Sequence, residues 1–249
     1  MEQLDPRHRF DVADAAALPW PDSSVDLAVT SPPYGLDVNY WGGDDPDYMA
    51  WLCKLEAWLA ELYRVAQHAW GRLCLNVPLD RDRGGWQPVS ADAIQVARSV
   101  GWQFRTWLLW DKLQAGSGTH RGSLDSAAAP NVTAPVESVL VFYRGTWYRS
   151  GPAAMPHHAW LELCGPRGLW HFPGTTDPTS PAPFREELPE RCITVFSFPE
   201  DVVGDPFAGR GTTPAVAVRL GRIAWASDRD PTCVAAAREW VAREQSQRA

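Results

Sequence analysis

The chain has 249 residues, 45% of them hydrophobic, and a formal net charge of −7. That is enough apolar mass for one large core, or for one domain with an insertion. The acidic balance argues against general adhesion to nucleic acid but leaves room for a local basic cleft. No apolar run reaches the ~20 residues of a membrane span. Residues 1–11 lack the apolar centre of a signal peptide, so a cytoplasmic location is expected and no membrane partner.

In chain order, "HRFDVAD" reads as a short strand ending near Asp14, and "SVDLAVT" as a second. Residues 46–68 carry apolar positions at three- and four-residue spacing, which predicts a helix. "GRLCLNV" (71–77) is nearly all apolar, as a strand buried on both faces would be. A helix near 88–100 follows, then strands at 104–110 and 138–144. Between Lys112 and Pro135 the chain is rich in Gly, Ser and Ala without a period, and residues 145–183 remain irregular. Regularity then returns: a strand at 200–205, a glycine-rich turn, a helix ended by Gly221, a strand at 222–228 and a closing helix opened by Pro231. Strands alternating with helices predict an α/β sheet with crossover connections.

Five scattered cysteines suit reduced, mostly buried thiols rather than a disulfide framework. A zinc site can be drawn from His157, His158, Cys164 and His171. The chain has no CxxC pair and no paired spacing, so no metal is expected.

The second strand runs straight into "TSPPYG" (30–35). Two consecutive prolines cannot donate to a sheet ladder, and each holds its predecessor extended. The strand therefore stops, and a stiff turn leaves it at the carboxyl edge of the sheet, where open α/β folds bind ligands.

The last quarter holds a second such edge. In "DPFAGRGTT" (205–213), Gly209 and Gly211 allow a tight turn and a close backbone approach, and the helix that follows presents free N–H groups. Asp205 ends the strand before the loop. Asp228 ends the next strand, 19 residues beyond Gly209, near the offset at which an acid meets ribose hydroxyls in dinucleotide folds. A carboxylate for an ammonium, N–H groups for a carboxylate and a second acid for a ribose together match S-adenosylmethionine. A dinucleotide would want GxGxxG, and the third glycine is missing.

Together, "TSPPYG" and "DPFAGRGTT" resemble the DNA amino-methyltransferases. Their order, SPPY first and glycine loop last, resembles the permuted beta class. "GWQFRTWLLWDK", "PVESVLVFYRG" and residues 182–222 are similar to later stretches of that family. The resemblance implies a doubly wound, mostly parallel, Rossmann-like α/β sheet, circularly permuted, forming a single domain over 1–249. Within it, residues 113–184 would be a small irregular recognition insertion. It also implies that Thr30, Asp205, Pro206, Phe207, Gly209, Gly211 and Thr212 line the cofactor, with Asp228 on the ribose, Phe184 as an aromatic neighbour and Asp14 near the adenine. Ala226-Ser227 replaces the family's usual glycine before the acid, the acid is Asp rather than Glu, and Cys233 stands where tyrosine is frequent.

The resemblance makes Ser31, Pro32, Pro33 and Tyr34 the catalytic turn. An exocyclic amine on a base is a poor nucleophile because its lone pair is delocalised into the ring. Acceptors aimed at its hydrogens, the Ser31 hydroxyl and the Pro32 carbonyl, would expose that lone pair, and the prolines would fix their direction. Tyr34 would offer a face for an extruded base. No Pro-Cys pair is present, which argues against methylation at cytosine carbon-5. Serine at the first motif position resembles the cytosine-N4 enzymes, with adenine-N6 as the alternative. A serine can both accept from the amine and donate to the adjacent ring nitrogen, so the residue type alone does not separate the bases. Methylation of RNA or of a protein amide usually goes with the reverse motif order. A catalytically silent binding protein would not need the full set of competent residues.

Double-stranded DNA is the implied partner, with a homodimer and a cognate restriction endonuclease as further family partners. Candidate DNA contacts are Arg81, Arg83, Lys112, His120, Arg121, Arg144 and Arg149.

Overall fold

In a computed structural model, residues 4–34, 47–82, 86–113, 127–128, 136–152, 157–164, 168–175 and 185–248 are described. The elements are β1 (Arg9–Val12), β2 (Leu27–Thr30), α1 (Tyr48–Val65), β3 (Arg72–Pro78), β4 (Arg81–Asp82), β5 (Trp86–Gln87), α2 (Val89–Ser99), β6 (Gln103–Asp111), β7 (Val136–Tyr143), α3 (His157–Cys164), β8 (Leu169–His171), α4 (Glu187–Phe196), β9 (Val202–Asp205), α5 (Thr212–Arg219), β10 (Ile223–Asp228) and α6 (Pro231–Arg248).

Eight strands form one sheet in the order β1-β10-β9-β2-β3-β7-β6-β8. Every strand runs the same way except β7, which lies antiparallel between β3 and β6. The last two strands of the chain, β9 and β10, lie between its first two, β1 and β2. That is the permuted α/β arrangement expected from the motif order. It puts the carboxyl ends of β2 and β9 side by side.

Alternation along the buried strands splits the core in two. Ala28, Leu73, Leu75, Leu140 and Phe142 face α1 and α2. Leu27, Val29, Cys74, Val139 and Val141 join α4, α5 and α6 on the other face. Helix α1 buries Trp51, Leu55, Leu59 and Leu62, a stripe at three- and four-residue spacing, and the Asp47 carboxylate caps its start by accepting from Ala50 N–H at 2.8 Å. The helix ends at Val65 rather than at 68, because the chain turns there so that Ala66 can bridge Val25.

Helix α4 has no counterpart in the sequence-based assignment. It buries Leu188, Cys192, Ile193 and Phe196 on one stripe, and Pro189 falls in its first turn, where a missing N–H costs nothing. The strand expected at 138–144 is β7, whereas residues 145–183, expected to be irregular, contain α3 and β8, the latter at the edge of the main sheet. The five cysteines are free: Cys74 and Cys192 are buried, Cys164 and Cys233 half-buried, and Cys53 exposed.

Candidate active site

The two motifs meet at the carboxyl edge of β2 and β9. The strands are paired through Leu27 with Val203 and Ala28 with Gly204, so Thr30 and Asp205 finish on the same edge. The Thr30 hydroxyl donates to Asp205 Oδ1 at 2.7 Å, and Phe207 N–H donates to the same oxygen at 3.0 Å. Asp205 is 2% exposed. Burial pushes its pKa up to about 6, against the lowering effect of its hydrogen bonds, and the nearby Asp228 charge adds to the rise. A buried carboxylate whose charge is that costly is set up to receive a cation.

Beyond Asp205, Pro206 is buried, and the chain turns through Gly209, at φ +50°, into Gly211, at φ +103°, the N-cap of α5. The two glycines serve different ends. A Cβ on Gly211 would lie 2.5 Å from the Cα of Ala237 in α6, so glycine lets α5 and α6 pack. A Cβ on Gly209 would meet nothing within 4 Å, so that backbone faces open space, as a ligand cradle requires. Thr212 opens α5.

The loop is held from below by Asp228. Its Oδ2 accepts from Gly209 N–H at 2.9 Å and its Oδ1 from Asp230 N–H at 3.0 Å. Asp14 is exposed and follows β1, whose Val12 pairs with Asp228, so both acids share one edge. The Cys233 thiol nearby is pushed up to about 11, by burial first and then by the charges of Asp228 and Asp230. It is therefore no nucleophile at neutral pH.

The Ser-Pro-Pro-Tyr turn is anchored at three points. Pro32 is buried, and Trp51 of α1 donates its indole N–H to the Pro33 carbonyl at 2.7 Å. The Ser31 and Tyr34 hydroxyls are hydrogen-bonded to each other, and the Tyr34 hydroxyl donates to Asn76 Oδ1 at 3.2 Å. Trp58 of α1 meets Phe207 edge-on, with ring centroids 4.9 Å apart, so α1 braces both the turn and the glycine loop. Tyr34 departs from expectation: its ring is only 6% exposed and packs in the core under α1, so it does not present an open stacking face. Asn76 was missed from sequence, although it is the polar residue inside the apolar run "LCLNV".

The candidate DNA contacts divide. Lys112 follows β6 on the carboxyl edge, ion-paired with Glu137 beside the Trp110 ring. Arg144 and Arg149 lie at the opposite edge, bonded to groups of the fold itself, which corrects their assignment. Arg144 donates to the carbonyls of Tyr63, at 2.7 Å, and Ala66, at 2.9 Å, closing the end of α1. Arg149 makes a two-pronged pair with Asp201, at 2.6 and 2.7 Å, between the rings of Trp70 and Phe198. Arg83, His120, Arg121 and Phe184 lie outside the described residues, and Arg81 is described only as backbone of β4. On the same carboxyl edge, His171 Nδ1 lies 3.3 Å from Asp111 Oδ2, while His157, His158 and Cys164 belong to α3.

Residues 25–239 match the DNA methylase family of N6/N4 methyltransferases. The type II methyltransferase M.MjaVI of Methanocaldococcus jannaschii is 38% identical over 157 residues, covering 62% of this chain and 79% of that protein. M1.MboII of Moraxella bovis, also a type II methyltransferase, is 28% identical, covering 81% and 83%. Among solved structures, the DNA modification methylase TTHA0409 of Thermus thermophilus, in complex with S-adenosyl-L-methionine, is 30% identical over 96% of both chains, with a TM-score of 0.73. The PvuII cytosine-N4 methyltransferase shares the fold at a TM-score of 0.70 and 17% identity, covering 97% of this chain and 94% of that one. The family match, over residues 25–239, spans the Ser-Pro-Pro-Tyr turn, the glycine loop, Asp205 and Asp228. This chain belongs to the DNA methylase family of N6/N4 methyltransferases and is an S-adenosylmethionine-dependent DNA methyltransferase.

Proposed function

We propose that the base methylated is cytosine and the atom its N4 amine. Ser31 at the head of the turn carries the choice of base, and the Thr30–Asp205 hydrogen bond supports the site by joining the strand that leads into Ser31 to the acid of the glycine loop. Serine rather than aspartate at the head of the turn supports cytosine. A second reading, adenine N6, has its own support: the DNA adenine methyltransferase YhdJ of Escherichia coli is 26% identical across 81% of this chain.

Asp205 would hold the ammonium of S-adenosylmethionine, the N–H groups at the start of α5 its carboxylate, and Gly209 would give its methionine end room. Asp228 and Asp14 flank the ribose and adenine side, and Pro206, Phe207, Gly211 and Thr212 shape the wall. The bound cofactor supplies an electrophilic methyl group on a sulfonium. Attack on it asks for alignment more than for acid–base power, which suits a turn held rigid by Trp51, two prolines and Asn76. Ser31 and the Pro32 carbonyl would accept the two amine hydrogens.

For DNA we keep Lys112 and the basic residues Arg81, Arg83, His120 and Arg121 as contacts. We assign target recognition to those parts of 113–184 that the sheet does not use. A cognate restriction endonuclease fits the type II methyltransferase relatives, and a homodimer is proposed on the family resemblance alone. The test is to incubate the purified protein with duplex DNA and methyl-labelled cofactor and to separate the nucleosides. Label in N4-methyldeoxycytidine supports the reading. Label in N6-methyldeoxyadenosine overturns the choice of base.

A further inference from the structure

Asn76, inside β3, is linked to Ser31 through the Tyr34 hydroxyl. It is 2% exposed near the end of β3, and among the described residues its side chain has two hydrogen-bond partners of different kinds. Its Nδ2 donates to the Ser138 backbone carbonyl at 3.2 Å. Its Oδ1 accepts from the Tyr34 hydroxyl at 3.2 Å. A carbonyl oxygen can only accept, so the nitrogen must face Ser138 and the oxygen must face Tyr34; the flipped amide would set two acceptors against each other.

The consequence runs outward one hydroxyl at a time. Tyr34 has a single O–H, and it is committed to Asn76. In its contact with Ser31 the phenol oxygen must therefore be the acceptor, and Ser31 the donor. The Ser31 hydrogen is then turned inward, and only lone pairs are left to face a base. This refines the expectation that the serine could also donate to a ring nitrogen.

Building on the reading of Ser31 as the group that meets the base, we infer that Asn76 is a positioning residue that makes Ser31 a pure acceptor and so selects amino bases over their keto counterparts. An amine meets lone pairs favourably at that point. The carbonyl of uracil or hypoxanthine would meet them acceptor to acceptor, with nothing from Ser31 to satisfy it. Without Asn76, the Tyr34 hydroxyl can turn and donate to Ser31, and the serine hydrogen swings outward to welcome a carbonyl.

The experiment measures affinity, with S-adenosylhomocysteine present, for duplexes carrying the mapped methylation site with either the natural target base or its keto counterpart. The counterpart is uracil if the mapped base is cytosine and hypoxanthine if it is adenine, so the test survives a change of base. The mismatch created by the keto base affects every protein variant alike and cancels when ratios are compared. We expect the amino-over-keto ratio to fall about tenfold in Asn76→Leu and in Tyr34→Phe, and Asn76→Leu to have no further effect on it in a Ser31→Ala background. Retained binding of S-adenosylhomocysteine certifies folding, and Tyr34→Phe carries the test if Asn76→Leu does not fold. If both variants weaken the two duplexes equally, the residues are structural and the inference is wrong. If Ser31→Ala itself leaves the ratio at the wild-type value, the reading of Ser31 fails and takes the inference with it.

Discussion

Thr30 and Asp205, 175 positions apart in the chain, are joined by a 2.7 Å hydrogen bond at the sheet edge. Thr30 is the last residue before the Ser-Pro-Pro-Tyr turn, and Asp205 the last before the glycine loop. One bond therefore fixes the spacing of the two motifs and, on the proposed reading, the distance between the group that would meet the base and the group that would meet the cofactor. The pairing of β9 with β2 in the sheet brings the two motifs to one edge.

On the proposed reading, Asp205 would trade stability for binding. Its pKa is raised from 3.8 to about 6, so between those values the folded protein keeps a proton that the unfolded chain has lost. Stability from this group is therefore present at low pH and falls as pH rises through that window. Asp205→Asn keeps the acceptor for Thr30 and Phe207 without the buried charge. At neutral pH it should stabilise the cofactor-free protein by about 1–3 kcal/mol and raise Tm. The same change should weaken S-adenosylmethionine binding roughly a hundredfold, as expected for a buried charged partner. Calorimetric scans and titrations on one preparation check both halves.

The same carboxylate should make cofactor affinity depend on pH. Above about 6 it is ionised and can hold an ammonium; below, it is protonated. Affinity should be flat through neutrality and fall about tenfold per pH unit once the pH drops below that value. A titration series read by calorimetry would show it. A flat profile down to the ordinary aspartate range would remove Asp205 from the pocket.

Gly209 and Gly211 should respond differently to alanine. At Gly211 the new methyl would meet the backbone of Ala237 at 2.5 Å, and φ is +103°. That variant should lose about 3 kcal/mol of stability. Gly209→Ala carries only the strain of φ +50°, about 1 kcal/mol, because nothing lies within 4 Å of the new Cβ. Its cost should fall on cofactor affinity instead, since the methyl enters the space assigned to the ligand.

Arg144→Ala should lower stability by roughly 2 kcal/mol, because it leaves the last carbonyls of α1 without their donor. DNA affinity should keep its wild-type dependence on salt. A phosphate-contacting arginine would instead reduce the slope of log affinity against log salt by about 1. Lys112→Ala is the informative comparison on the opposite edge.

What could be read from the sequence was whatever is local. A strand ending in a stiff turn, a glycine loop with an acid on either side and a helix with a regular apolar stripe each announce themselves within a few residues. The direction of β7 depends on how a distant segment returns to the sheet, and no local pattern encodes it. Helix α4 was hidden by Pro189, which normally argues against a helix and is harmless in the first turn. Arg144 and Arg149 resembled DNA contacts because an arginine that caps a helix and one that meets a phosphate are the same residue until the fold gives it neighbours. Asn76 did leave a trace, a single amide inside an apolar strand. A buried polar residue always needs a partner, so that kind of interruption is worth pursuing.

The most direct test is mass spectrometry of nucleosides from plasmid DNA propagated with the wild-type chain and with Ser31→Ala. The account predicts N4-methylcytosine with the wild type and its loss with the variant, which still binds S-adenosylmethionine. N4-methylcytosine at equal levels from both proteins would contradict it, because the turn that Thr30 ties to Asp205 would then not be where the amine is activated.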